Sequence, residues 1–171
     1  MSGKHLKKLG LKNAHIVVDK LSDVQKGYLS AFLDGEGGIQ VTRSTRKGRE
    51  YTIALHPTVY FTNTNLEAIQ SLRDWLSCGT IVRRVDKIHE KDSYILHVTG
   101  TRNILALLKV VRPYLIIKKR QADLLIEYCE SRLGHYRGGD RRYNTRELEI
   151  YTELKRINMK GGKKKRQPTV V

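Results

Sequence analysis

The chain has 171 residues, with 33 Lys+Arg against 17 Asp+Glu and a formal net charge of +16. That length allows one compact domain with a real core, and a sequence pI near 10.0 points to a polyanionic partner, nucleic acid by default. No apolar run approaches membrane-spanning length and no signal-peptide pattern opens the chain, so a soluble intracellular protein, cytoplasmic or organellar, is expected, without a membrane partner. Residues 1 to 20 read as a basic arm, carrying Lys4, Lys7, Lys8, Lys12 and Lys20 against Asp19 alone. Ser22 followed by Gln25 forms a capping box ahead of Val24, Tyr28, Leu29, Phe32 and Leu33, which predicts a helix. That helix ends in Asp34-Gly35-Glu36-Gly37, two carboxylates at its negative pole, where something positive should offset them; a hard divalent cation would.

Two strands follow, over residues 38 to 44 and 50 to 63, then a helix over 65 to 76, strands over 80 to 86 and 93 to 99, and a helix over 102 to 114. In the second strand Thr52, His56, Thr58, Tyr60 and Thr62 alternate with Ile53, Leu55, Val59 and Phe61, giving one polar and one buried face. Gln40, Thr42 and Ser44 extend the polar face in the first strand, with Arg43, Arg46, Lys47 and Arg49 at the turn to meet phosphates. Ser93, Ile95 and His97 extend it in the fourth strand, opposite inward Tyr94, Leu96 and Val98, joined by Arg83, Arg84 and Lys87 from the third. These donors and acceptors suit base edges, and a β-ribbon fits the major groove. Pro57 cannot donate a ladder hydrogen bond, so a bulge or an edge position is expected there.

A helix over 118 to 133 leads into a glycine-marked loop over 134 to 142. A last helix starts at Asn144 with Glu147 as its capping partner and carries Leu148, Tyr151, Leu154 and Ile157 toward the core until Gly161-Gly162. Lys163 to Arg166 form a basic tail that extends the phosphate footprint. The organisation is therefore a basic arm (1–20), a core (21–133), a loop and helix packed on it (134–160) and a tail (161–171). Cys78 and Cys129 stand alone, which argues against structural zinc and fits free, packed thiols in a reducing compartment.

Leu29-Ser30-Ala31-Phe32-Leu33-Asp34-Gly35-Glu36-Gly37 resembles the LAGLIDADG motif of homing endonucleases. The αββαββα order is the one this resemblance implies, and it covers roughly residues 21 to 133. A second landmark is similar: in the run from Pro113 to Gln121, Lys118 stands where the family has a lysine after the fourth strand and its helix. The resemblance implies an α+β fold, a saddle-shaped antiparallel DNA-binding sheet with C-terminal helices added. It implies Glu36 as the ligand of Mg²⁺ or another divalent cation, aided by the Gly35 carbonyl, with Asp34 structural at paired helix ends. Lys118 would act near the attacking water, and Asn63 matches a water-positioning site often filled by glutamine. Glu67 falls where some relatives carry a basic residue.

One motif per chain implies a homodimer, and Ala31 and Gly35, small and on one helical face, would let two such helices approach closely, with Asp34 beside them. The implied activity is a staggered double-strand break in a long, pseudo-palindromic double-stranded DNA site. An intron RNA maturase, a non-cleaving DNA-binding regulator and a ribosomal-type RNA binder are the alternatives. Retention of both Glu36 and Lys118 favours cleavage, since a binding module gains nothing from a carboxylate facing phosphate.

Overall fold

In a computed structural model describing residues 20–45, 53–85, 92–137 and 142–159, the capping box at Ser22 is formed in both directions. Gln25 N–H donates to Ser22 Oγ (3.2 Å) and Ser22 N–H to Gln25 Oε1 (2.9 Å). They open α1 (Asp23–Glu36), followed by β1 (Gly37–Thr45), β2 (Ile53–Asn63), α2 (Leu66–Leu76), β3 (Thr80–Val85), β4 (Asp92–Thr99) and α3 (Thr101–Val111). A 3-10 turn (Arg112–Tyr114), α4 (Lys119–Arg137) and α5 (Thr145–Met159) complete the described chain. The αββαββα order is thus present, in an α+β fold whose four strands form one antiparallel sheet in the order β1-β2-β4-β3. The basic arm before residue 20, the turn residues Arg46, Lys47 and Arg49, Thr52, Lys87, the stretch 138–141 and the tail all lie outside the described residues.

Alternation along the strands puts Ile39, Val41, Leu55, Val59, Phe61, Leu96 and Val98 on the helix side of the sheet, all buried. There they meet Leu29 and Leu33 of α1, Ile69, Leu72 and Leu76 of α2, and Ile104, Leu108 and Val111 of α3. Ser30 is buried between helices, its hydroxyl 2.7 Å from the Lys26 carbonyl and 3.1 Å from that of Val111, which ties α1 to α3. Cys129 is buried and Cys78 half-buried, both as free thiols, and burial pushes the Cys78 thiol up to about 11.

The C-terminal pair of helices closes the sheet. The β1–β2 register runs unbroken through Val41↔Pro57, so there is no bulge at Pro57. Pairing of β2 with β4 begins only at Thr58. Residues two apart on a strand point their N–H groups to the same edge, and the Leu55 N–H on that edge donates to Tyr143 Oη (2.8 Å). Pro57 therefore faces an edge that β4 does not reach, where a missing donor costs nothing. At the opposite edge Asn158 Nδ2 donates to the Ile39 carbonyl of β1 (3.0 Å).

Two local expectations need correction. The loop expected from Gly134 is helix as far as Arg137. A helical glycine costs about 1 kcal/mol relative to alanine, and contacts that no local pattern reveals oppose that cost: Arg132 Nη1 lies 3.2 Å and His135 Nδ1 3.3 Å from the Glu147 carboxylate. In α5 the buried face is Glu147, Ile150 and Leu154, while Leu148 turns outward and is 43% exposed. In α1, Val24 (82% exposed) and Tyr28 (47%) face away from the core. No helix among the described residues is long and apolar enough to cross a membrane.

Glu147 is fully buried yet well supplied. Its carboxylate accepts from Ser131 Oγ (2.7 Å), Arg132 Nη1 (3.2 Å) and the Asn144 N–H (3.1 Å), and its own N–H donates to Asn144 Oδ1 (2.7 Å). The Arg132 guanidinium also lies over the Tyr143 ring, 4.6 Å from its centre. Removing one partner of a buried ion pair strands the other. Glu147→Ala should therefore lower unfolding free energy by about 3–5 kcal/mol, whereas Leu148→Ala one residue on should change it by less than about 0.5 kcal/mol; urea melts of the two variants check the contrast.

Candidate functional site

The motif helix and the first strand join without a loop. The Gly37 N–H caps the helix by donating to the Leu33 carbonyl, and the backbone turns directly into β1. A Cβ on Gly37 would sit 2.6 Å from Leu33 Cδ1 and 2.7 Å from the Tyr60 carbonyl oxygen, and one on Gly38 would overlap the Tyr60 ring. At Gly37, set against backbone, only glycine allows so close an approach, whereas at Gly38 the Tyr60 ring would have to move; Glu36 stands at the corner between α1 and the sheet, exposed to solvent.

Asp34 turns the other way. Its Oδ2 accepts from the backbone N–H groups of Ile116 (2.6 Å) and Ile117 (3.0 Å), and its Oδ1 from that of Lys118 (2.9 Å). Lys118 in turn donates its ammonium to the Asp34 carbonyl oxygen, while its own carbonyl accepts from Ala122 N–H in the first turn of α4 (3.0 Å). The negative pole of α1 thus meets an ammonium and the positive pole of α4 meets a carboxylate, both favourable with the helix dipoles. α1 has no basic residue in its own last turn, so the positive partner comes from 84 positions along the chain.

Partial burial pushes the Asp34 carboxyl up, but the three amides and the Lys118 charge outweigh it and hold the group below the usual carboxylate range. Burial lowers the Lys118 ammonium below an ordinary lysine, offset only in part by Asp34 and Glu36. Both carboxylates are therefore within electrostatic reach of one half-buried lysine. Asn63 is committed locally: its Oδ1 accepts from Asn65 N–H (2.9 Å), and Asn65 Oδ1 accepts from Ala68 N–H (3.1 Å) to start α2. It lies in register with Tyr94, on the helix side of the sheet. Glu67 sits in the first turn of α2, where its charge suits the helix pole.

The outward face of the sheet is arranged in rows. Ser44 stands beside Ala54, Thr42 beside His56, and Gln40 beside Thr58 and Thr99. Gly38, Tyr60, His97 and Thr80 form the next row, then Thr62, Ile95 and Val82, then Ser93 and Arg84. Ser44 Oγ and His56 Nε2 are 2.8 Å apart, so this pair is already oriented. Two sequence assignments shift. Thr58 is only 8% exposed beneath its flanking neighbours, and Arg83 lies in register with Tyr94 on the inner face, where its Nε donates to Asp92 (2.8 Å). Arg46 lies outside the described residues.

An exposed stripe runs along α1, of which sequence reasoning placed Ala31 and Gly35 but missed Val24 and Tyr28. At about 100° per residue, Val24, Tyr28, Ala31 and Gly35 fall on one narrow face, and all four are exposed. Ile116 (84% exposed) and Ile117 (70%) carry two of the amides that bind Asp34 and add exposed apolar side chains near the end of α1. Behind the stripe, Tyr28 packs edge-on against Trp75, ring centres 5.5 Å apart. The signal was the spacing of 24, 28, 31 and 35 itself, apolar or small throughout. No cluster of three or more His, Cys, Asp or Glu that could hold a metal occurs among the described residues. One chain therefore offers a cation the Glu36 carboxylate and the last helical carbonyls, which lack intrahelical partners.

The solved homing endonuclease I-CvuI, in complex with DNA in the presence of Mg and with that DNA uncleaved, superposes with a TM-score of 0.62 at 20% identity, over 84% of this chain and 86% of its own. The archaeal intron-encoded homing endonuclease I-Vdi141I, complexed with DNA, gives 0.63 at 20% identity over 78% and 84%. The group I intron-encoded I-CeuI, also complexed with DNA, gives 0.63 at 11% identity over 88% and 72%. The chain has the fold of the LAGLIDADG homing endonucleases. No family model and no curated protein sequence matches it.

Because Asp34 titrates lower in the folded chain than its ordinary value near 3.9, its contribution to stability is full above that value and disappears as pH falls through the folded value. Urea midpoints measured from pH 5 down to pH 2 should fall less steeply for Asp34→Asn than for the wild type. An unchanged slope would mean that the three amides do not hold the carboxylate.

Proposed function

We propose that two copies of this chain form a metal-dependent endonuclease that makes a staggered double-strand break in a long, pseudo-palindromic DNA site. The observation that carries the reading is the Lys118 ammonium held on the Asp34 carbonyl, two residues before exposed Glu36, at one corner beside an open, polar sheet face. The likeness in fold to endonucleases solved on DNA supports it. Glu36 and the Gly35 carbonyl offer hard oxygen donors at a helix C-terminus, the donor chemistry that Mg²⁺ takes. With so few protein donors per chain, phosphate oxygens and water would have to complete its shell, as is usual for Mg²⁺ at phosphoryl centres. When bound, such an ion activates water and neutralises charge on the departing oxygen.

The chain's own residues have distinct parts. Glu36 holds a negative charge clear of the core, free to face the backbone of the nucleic acid. Lys118 is oriented by the Asp34 carbonyl, so its positive charge adjoins the Glu36 corner and can neutralise phosphate or polarise a water there. Asp34 positions rather than reacts, since its oxygens are engaged with three amides. Asn63 Oδ1 already accepts one hydrogen bond, from Asn65 N–H, which leaves its amide NH₂ and one lone pair for water. Gln40, Thr42, Ser44, His56, Tyr60, Thr62, Arg84, Ser93, Ile95 and His97 present the surface that would enter the major groove.

Double-strand cleavage needs two acidic corners, and the exposed stripe of α1 supports pairing about a two-fold axis. The apolar side chains of that stripe, and those of Ile116 and Ile117, would be left in water by a monomer. Ala31 and Gly35 lie where two helices can approach most closely.

With Mg²⁺ and a plasmid library of randomised inserts, wild-type protein should linearise a subset of plasmids. Glu36→Gln should retain or strengthen DNA binding yet leave every plasmid uncut, and Lys118→Met should slow cutting by about 10²–10⁴-fold. Robust cutting by Glu36→Gln would remove the carboxylate from the mechanism.

Ala31→Leu overpacks the stripe at a cost of about 1–3 kcal/mol per site, incurred on both sides of the axis. Sedimentation should show wild type as a dimer and the variant shifted toward monomer, with the emission of Trp75, the chain's sole tryptophan, changing in step. A wild type that stays monomeric at micromolar concentration, free and on DNA, would overturn the two-site reading.

A further inference from the structure

The outward face of the sheet is built mostly from donors and acceptors, and the larger apolar side chains on it fall in one row. Thr62, Ile95 and Val82 stand abreast across β2, β4 and β3. Val82 is 46% exposed and Ile95 half-buried. On one side the row adjoins Tyr60, His97 and Thr80, and on the other Ser93 and Arg84. The core does not need this pair, because Ile81 and Leu96 already meet in register on the inner face. A valine and an isoleucine therefore meet solvent in the middle of a surface otherwise suited to hydrogen bonding.

In the major groove one standard base edge offers an apolar group, the C5-methyl of thymine. Strands about 4.8 Å apart bring the two branched side chains within reach of a single base edge, while the polar rows on either side face its neighbours. We propose that Val82 and Ile95 form a docking site for a thymine C5-methyl, so that this part of the sheet selects thymine over uracil or cytosine. The inference rests on the reading of the sheet as a DNA-binding surface and names what one row of it recognises. It also gives that surface a reason to prefer DNA, because RNA carries uracil and the deep, narrow major groove of A-form RNA does not admit side chains.

The test begins with full-length wild-type protein and selection of bound duplexes from a randomised DNA library. Each thymine of an enriched duplex is then replaced singly by deoxyuridine, and binding is measured by fluorescence anisotropy. Loss of one buried methyl should weaken binding about fourfold at one thymine and leave the other positions unchanged. In Val82→Ala/Ile95→Ala that preference should vanish while binding to the deoxyuridine duplex persists. Val82→Ala alone, at an exposed position on an edge strand, gives the same reading should the pair fail to fold. No enrichment of any sequence would overturn the DNA-binding reading and the inference with it. Enrichment with indifference to deoxyuridine at every thymine, a site without thymine, or a preference that survives the variants would overturn the inference alone.

Discussion

The structure turns on a reciprocal exchange between two helix ends. Asp34, at the C-terminus of α1, satisfies three consecutive amides that lead into α4, and Lys118, at the start of α4, satisfies a carbonyl at the end of α1. Orphan backbone groups at helix ends are costly when left without partners, and each helix supplies what the other lacks. The exchange also sorts the two acids of the motif. Asp34 is consumed in joining the helices, so Glu36 is the acid left facing outward. On the proposed reading a catalytic carboxylate must be rigidly held and yet uncommitted, and separating those demands onto two residues meets both.

Rigidity at that corner reaches the sheet through the glycine pair. With Gly37 and Gly38 pressed against Leu33 and Tyr60, β1 leaves the helix in one fixed direction, and its register with β2 follows without interruption. The rows of the outward face are thus set by the same contacts that hold Glu36. On the proposed reading this matters for chemistry, because the side chains that identify a site and the carboxylate that acts on it must keep one spacing to within a fraction of an ångström.

Much of this was legible in the sequence because the signals are local. The Ser22–Gln25 and Asn144–Glu147 boxes lie within four residues, and a strand's period of two assigns each side chain of β2 to a face once Val59 and Phe61 are taken as buried. What escaped depends on partners distant in the chain. The helix continues past Gly134 where Arg132 and His135 lie beside Glu147, a residue of the next helix; Arg83 falls on the inner face, in register with Tyr94. The partners of Asp34 lie more than eighty residues away. Val24 and Tyr28 were legible as apolar but not as exposed, since periodicity reports that a stripe is buried against something without saying whether that is the chain's own core.

Charge is divided as sharply as structure. In the helical layer several cations are paired: Arg112 with Asp123, Arg120 with Glu153, Arg146 with Glu127 and Glu149, Arg132 with Glu147 and Lys109 with Glu130. The outward rows of the sheet are largely neutral, with Arg84 an exception. In sequence, much of the basic excess falls outside the described residues, at Lys4, Lys7, Lys8, Lys12, Arg46, Lys47, Arg49, Lys87, Lys91 and Lys163 to Arg166. Phosphate contacts give affinity without sequence information, and base-edge contacts give sequence information with less dependence on salt. On the proposed reading, charge on those segments would hold DNA of any sequence while the uncharged rows of one sheet judge a site. The corner that carries Glu36 would then act only where those rows fit.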